Sequence, residues 1–179
     1  MSKIGRKPIA FSSAKIEVSG LQISIKGAKE SFSHKLPEGF SAHLDGKILR
    51  IEPQEKNREN NILWGLHRAL LANEIKGVET GFEQTLNIVG LGFKAVLAGS
   101  KLSFTLGYTH KIDYNLPKEV TVVVDKTGQQ LVFKSADRFL LGNVCDAIRS
   151  FRPPEPYKGT GIMKKDEVII RKAGKTKSA

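Results

Sequence analysis

The chain has little of what most active sites are made from. Its single cysteine, Cys145, excludes an internal disulfide and a cysteine-based zinc site. The four histidines, His34, His43, His67 and His110, show no metal-ligand spacing with one another, with Cys145 or with an acid. No paired carboxylates stand out. These absences speak against an enzyme, so no catalytic residue, metal ligand, cofactor or small-molecule substrate is assigned. No apolar run approaches the roughly 18 residues of a membrane-spanning helix. The opening MSKIGRKPIA lacks the apolar stretch of a signal peptide. The expectation is a mature-like chain in a reducing cytoplasm, with no membrane partner. Acid is scarce as well: 18 Asp and Glu against 29 Lys and Arg give a net charge of +11.

That basic excess is not evenly spread. Residues 1–9 carry Lys3, Arg6 and Lys7 and no acid, and residues 149–179 carry nine basic side chains against Glu155, Asp166 and Glu167. The intervening body is nearly neutral. A neutral scaffold with two basic ends is the layout of a protein that grips phosphates with its extremities, so a polyanion, above all nucleic acid, is the expected partner.

About 40% of residues are hydrophobic, enough for a core, and the patterning is informative. Alternation marks strands at Ile16–Val18, Leu21–Ile25, Phe32–Leu36, Phe40–Leu44 and Leu49–Ile51. From about Asn60 to Lys76 the period changes. Ile62, Leu66, Ala69 and Leu70 fall three and four apart, which predicts an amphipathic helix with that face inward and Gly77 as its C-cap. Strands resume after Gly81 and run to Phe133. A second helix is expected over about Ala136–Phe151, with Leu140, Val144, Ile148 and Phe151 on its apolar face. Gly27, Leu36, Pro37 and Asp45 recur 80 residues on as Gly107, Leu116, Pro117 and Asp125, and Phe32 and His34 match Ile112 and Tyr114 at the same offset. The expected fold class is α+β: two duplicated modules, 1–82 and 83–179, each a mainly antiparallel sheet covered by one helix, with basic N- and C-terminal extensions.

Gly90-Leu91-Gly92 follows a strand, like a dinucleotide fingerprint, but alternation continues after it where a helix N-terminus is required. A bend or bulge between strands is expected, with Lys94 beside it able to reach a phosphate. His34 reads as a satisfied, half-buried histidine and Cys145 as a small apolar core residue.

The C-terminal segment RPPEPYKGTGIMKKDEVIIRKAGKTKSA holds the chemistry. Arg149 and Arg152 are neighbours at the end of the second helix, and Pro153 should stop it. The prolines are expected to hold the chain extended. Tyr157 offers a stacking ring, Lys158 a charge, and Gly159 and Gly161 a close backbone approach to phosphate. Lys164, Lys165, Arg171, Lys172, Lys175 and Lys177 should add affinity, with Lys3, Arg6 and Lys7 as a second grip. Lys164-Lys165-Asp166 is expected to turn into a short strand at Val168–Ile170, and truncation after Arg152 to leave both modules folded.

RPPEPYKGTGI closely resembles the C-terminal signature of the bacterial-type large-subunit ribosomal protein L-six family (universal uL-six). SKIGRKPI, NIVGLGFKA, LGYTHKI and SADRFLLGNVCDAIR resemble that family's other segments in order, so the likeness covers essentially the whole chain. Thr160 stands where the family usually has Lys, Phe93 and Lys94 where it commonly has Tyr and Arg, and Lys111 where Pro is common. The resemblance implies a non-catalytic duplication that binds large-subunit rRNA, mainly through its C-terminal module. The implied site is near the base of the factor-binding stalk and the sarcin–ricin region. Neighbouring ribosomal proteins and docking translational GTPases are the other implied partners, in a cytoplasmic or organellar ribosome. The alternative for the same charge layout is a free RNA-binding regulator or chaperone.

Overall fold

Each alternating run of the first third becomes a strand. In the computed structural model, which describes residues 2–27, 30–55, 57–172 and 174, these are β2 (Lys15–Ser19), β3 (Gln22–Lys26), β4 (Ser31–Lys35), β5 (Phe40–Asp45) and β6 (Ile48–Pro53). A two-residue strand, β1 (Ile9–Ala10), precedes them; it is too short to show a period. The strands form two antiparallel three-stranded sheets, β2-β3-β4 and β1-β6-β5, rather than the single sheet expected for the module. Gly20 (φ 62°) and Gly46 (φ 59°) supply the left-handed backbone that the tight turns after β2 and β5 require. Ile23, Ile25 and Leu49 are fully buried between these sheets and helix α1 (Arg58–Glu79).

The apolar face expected of α1 is incorrect. The helix docks through Trp64, Leu71 and Ile75, whereas Ile62, Leu66 and Leu70 are 66%, 50% and 40% exposed. Trp64 decides the rotation. Its ring covers Gly5, and its indole N–H donates to the Ile51 carbonyl at 2.6 Å, so the largest side chain sets which face turns inward. Gly77 is not the cap either. It is buried inside the helix, which runs on to Glu79, and Gly81 (φ 74°) ends it by donating to the Gly77 and Lys76 carbonyls at 3.0 and 3.2 Å.

The chain divides into two units, Met1–Gly81 and Phe82–Ala179. The second contains β7 (Phe82–Val89), β8 (Lys94–Ala98), β9 (Lys101–Thr105), β10 (Ile112–Asn115), β11 (Thr121–Val124), β12 (Gln130–Ser135), α2 (Arg138–Phe151) and β13 (Gly161–Lys164). Its sheets are β8-β9-β10 and β11-β12-β7-β13, again antiparallel. Element by element this repeats the first unit: β8, β9 and β10 stand for β2, β3 and β4, and β11, β12 and α2 for β5, β6 and α1. The duplication is therefore structural as well as sequential. Asp137 caps α2, its carboxylate accepting from the Phe139 and Leu140 amides at 2.7 and 3.3 Å. The buried face is Leu141, Val144, Cys145 and Ile148, with Leu140 and Phe151 packed at its margin. Burial pushes the Cys145 thiol up to about 12, which keeps it an unreactive apolar side chain.

One element has no counterpart in the first unit. β13 pairs with the outer edge of β7, Gly161 opposite Val89 and Lys164 opposite Leu86, and buries Ile162 completely. The strand expected at Val168–Ile170 is not there: Val168 and Ile170 are 88% and 86% exposed. The strand of this segment is instead Gly161–Lys164, whose Ile162 faces the core. A chain cut after Arg152 would lose this strand and the burial of Ile162, which bears directly on the expectation that such a truncation leaves both modules folded. Lys165 and Asp166 do form the turn that follows.

Folding also assembles polar groups that sequence spacing left scattered. His34, satisfied as expected but buried rather than half-buried, faces Glu74 through Nδ1 at 2.8 Å and His67 Nδ1 through Nε2 at 2.9 Å. Burial, then the neighbouring His34, lowers the His67 pKa below 6.5, against the pull of Glu74. A group whose folded pKa is depressed leaves stability at its full value above the unfolded pKa. Below it, the unfolded chain takes up the proton first. The first unit should therefore keep its urea midpoint above pH 6.5 and lose it progressively below. His67→Gln, which cannot titrate, should flatten that fall. Trp64, the only tryptophan and buried in this unit, supplies the fluorescence signal. An equally steep fall in the variant would remove His67 as the cause.

Candidate nucleic-acid interface

The C-terminal end of α2 is where the chemistry collects, and Arg152 is its centre. This residue leaves the helix with extended backbone (φ −152°), as expected of a residue before proline. Its guanidinium lies over the rings of Phe93 and Tyr108, 5.1 and 5.0 Å from their centroids, and donates to the Leu106 carbonyl at 2.9 Å. The Tyr108 hydroxyl donates to the Phe151 carbonyl at 3.0 Å, which satisfies one of the last carbonyls of the helix. His110 lies nearly parallel to Tyr108, at 6.2 Å and 21°. Arg152 thus locks the β7–β8 turn and the β9–β10 connection to the helix end.

Gly90-Leu91-Gly92-Phe93 is the inter-strand bend expected, not a nucleotide fingerprint. The Phe93 amide donates to the Gly90 carbonyl at 3.3 Å, and Gly92 (φ 73°) provides the positive φ of a type II turn. Phe93 folds back over Gly90 and Gly107, where any side chain would collide with its ring.

The proline segment is not extended. It turns back at Pro156–Lys158 and closes on itself. The Gly159 amide donates to Glu155 O and the Glu155 amide to Thr160 O, both at 2.9 Å, and the Thr160 hydroxyl meets the Glu155 carboxylate at 3.2 Å. Gly159 and Gly161 serve this closure. A Cβ on Gly161 (φ 143°) would stand 2.6 Å from the Pro153 carbonyl oxygen, and Gly159 (φ 70°) is covered by the Arg171 guanidinium. The Lys172 amide holds the outgoing chain by donating to Pro156 O at 2.9 Å. Tyr157 and Lys158 are left exposed at the tip.

The cations then sort themselves by partner. Arg149 makes a two-point contact with the Glu167 carboxylate, which also accepts from the Lys164 amide at 3.1 Å. That guanidinium, by hydrogen bond, holds the Glu167 carboxyl below its usual range. Lys164 pairs with Asp146 at 2.9 Å, an exposed contact worth little. Among the described residues no ion pair engages Lys94, Lys158, Lys165, Arg171 or Lys172, and all five are exposed. Lys175 and Lys177 lie outside the described residues. In the first unit, Lys3, Arg6 and Lys7 sit on a segment that is packed rather than trailing: Arg68 donates to the Lys7 and Pro8 carbonyls at 3.0 and 3.1 Å. Sequence reasoning passed over Tyr108 and His110 as site residues, although LGYTHKI was a segment it singled out.

No helix among the described residues is long and apolar enough to cross a membrane. A family model described as "Ribosomal protein L6" matches residues 89–165, which hold Arg152, the two loops it anchors and the Glu155–Thr160 closure. The relatives extend the likeness to both units. A large ribosomal subunit protein uL6 from Methylobacterium sp. (strain 4-46) is 38% identical over 99% of this chain and 100% of its own length. Those from Desulfatibacillum aliphaticivorans and Crocosphaera subtropica are 40% and 39% identical, each over 98% of this chain and 99% and 98% of their own. All three carry the name of a large-subunit ribosomal protein, not of an enzyme. With both units matched end to end at such identities, the chain belongs to the ribosomal protein L6 family.

Proposed function

We propose that this chain is a structural protein of the large ribosomal subunit that binds its rRNA through the α2 end of the second unit. The observation that carries this reading is the set of exposed, unpaired cations, Lys94, Lys158, Lys165, Arg171 and Lys172, on and beside loops that Arg152 and the Glu155–Thr160 closure hold rigid. Rigid presentation matters because little ordering entropy remains to be lost on binding. Phosphate contacts made in this way position the protein without reading base sequence. Lys3, Arg6 and Lys7 are exposed on the first unit and form a second, smaller basic patch. The stripe Ile62-Leu66-Leu70 carries no charge and suits a neighbouring ribosomal protein better than RNA. The family resemblance supports a place near the stalk base and the sarcin–ricin region, beside the docking site of translational GTPases, and protein–RNA crosslinking in purified large subunits tests it.

Affinity for protein-free large-subunit rRNA, measured over a range of salt, tests the interface. Alanine at Lys94, Lys158, Lys165 or Lys172 should lower the salt slope by about one unit each, because each lost phosphate contact releases one fewer counterion. Alanine at Arg149 should leave the slope nearly unchanged, since its charge is already paired with Glu167. Slopes unaltered by all four lysine variants would sink the assignment. Retention on large subunits through a high-salt wash separates a ribosomal constituent from a free RNA-binding regulator.

A further inference from the structure

We propose that Leu91 is an apolar wedge that enters an unstacked step of RNA, a role that rests on the rRNA-binding reading above. An exposed leucine is ordinary by itself. This one is fully exposed, at 102%, on the corner of a turn that has been made stiff. The Phe93 amide closes the turn onto Gly90, the Phe93 ring fills the space over Gly90 and Gly107, and Arg152 covers that ring. Nothing in this construction buries Leu91; all of it fixes where Leu91 points. A side chain held out in this way gains its burial only from a partner.

Charge identifies the partner as a polyanion. No acidic residue lies between Glu83 and Asp113, whereas Lys94, Lys101 and Lys111 do, with Lys101 paired to Asp113. Lys94 opens the strand that leaves the turn and is itself exposed. A protein surface evolved to receive a leucine would meet Lys94 beside the turn at a cost, while phosphates flanking an opened base step would neutralise it. Wedge insertion of an apolar side chain between bases is a known way to bind a deformed or unpaired step. The displaced base requires a flat surface, and the near-parallel His110–Tyr108 pair, exposed at the same end of the unit, provides one. The preferred RNA is then a bulge or loop in which a step is already open, since a paired and stacked duplex step is more costly to open.

The test uses the full chain and protein-free large-subunit rRNA, with Leu91→Ser and Leu91→Met. Binding is followed over a range of salt, and base and ribose reactivity by dimethyl sulfate and 2′-hydroxyl acylation. Leu91→Ser should weaken binding about tenfold or more, from the loss of one buried leucine, with an unchanged salt slope because no cation is lost. One or two nucleotides should lose their altered reactivity while the surrounding footprint persists. Leu91→Met, apolar and of similar volume, should behave as wild type in both measurements. A Ser variant indistinguishable from wild type overturns the wedge and leaves the rRNA-binding reading standing. So does a Ser variant that binds rRNA normally but fails to enter large subunits, which would assign Leu91 to a protein neighbour. Absence of rRNA binding by the wild-type chain overturns both readings.

Discussion

Replacing Ile162 with alanine will destabilise the second unit by about 2–4 kcal/mol, the usual cost of truncating a fully buried isoleucine. A chain ending at Arg152 will fail to reach a protected second sheet at all. Ile162 has no exposed surface and sits in the core with Leu86, Ile88 and Ile148. Its strand also completes the edge of β7, and its amide donates to the Arg152 carbonyl at 2.8 Å, closing the loop that begins there. Removing the segment strips hydrogen bonds from the inner strand and exposes apolar surface together, so the two losses add. Amide hydrogen exchange over Phe82–Val89 and Gln130–Ser135 provides the readout. Protection in the truncated chain equal to that of the full chain would show that β13 is an ornament on a finished sheet.

Arg152→Ala will loosen two loops at once. Two cation–π contacts, at about 0.5–1 kcal/mol each when partly exposed, and one charged hydrogen bond of about 1.5–3 kcal/mol are lost together. The sum is an upper bound, because water replaces part of it. The expected result is faster exchange in residues 90–93 and 106–110 with α2 unaffected. RNA affinity should fall at least tenfold, by a larger factor than for any single exposed lysine, since Leu91, Lys94 and His110 all depend on this one anchor. Arg152→Lys should recover little, because an ammonium lacks the planar face that meets both rings. If exchange in the two loops stays at the wild-type rate, the guanidinium is not their lock and its charge is available for a phosphate.

The strands and their turns were legible in the sequence because period-two alternation and turn glycines are local signals, and the duplication was legible because the offset of 80 repeats at several positions. The facing of α1 was not. Spacing alone weighs Ile62 and Leu66 equally with Trp64 and Leu71, and only the tertiary contacts of Trp64 with Gly5 and Ile51 decide between the faces. β13 was missed for a related reason. Gly161-Ile162-Met163-Lys164 has one residue pointing to the core, whereas Val168-Ile169-Ile170 is the more apolar run and attracts the assignment. The partner of each cation was beyond reach as well. Arg149 and Lys158 look equivalent in sequence, yet one is held by Glu167, 18 residues away, and the other is exposed without an ion pair. Gly159 and Gly161 show that a glycine-rich basic segment can need its glycines for its own closure.

β7 is made well before its outer neighbour, β13. Until Gly161–Lys164 is made, the nascent second unit carries an open sheet edge, a surface that invites pairing with other chains. The same segment that fills this edge also closes the loop from Arg152, through the Ile162 amide on the Arg152 carbonyl. A copy that stops before Gly161 lacks both the outer strand and the loop closure that the strand anchors.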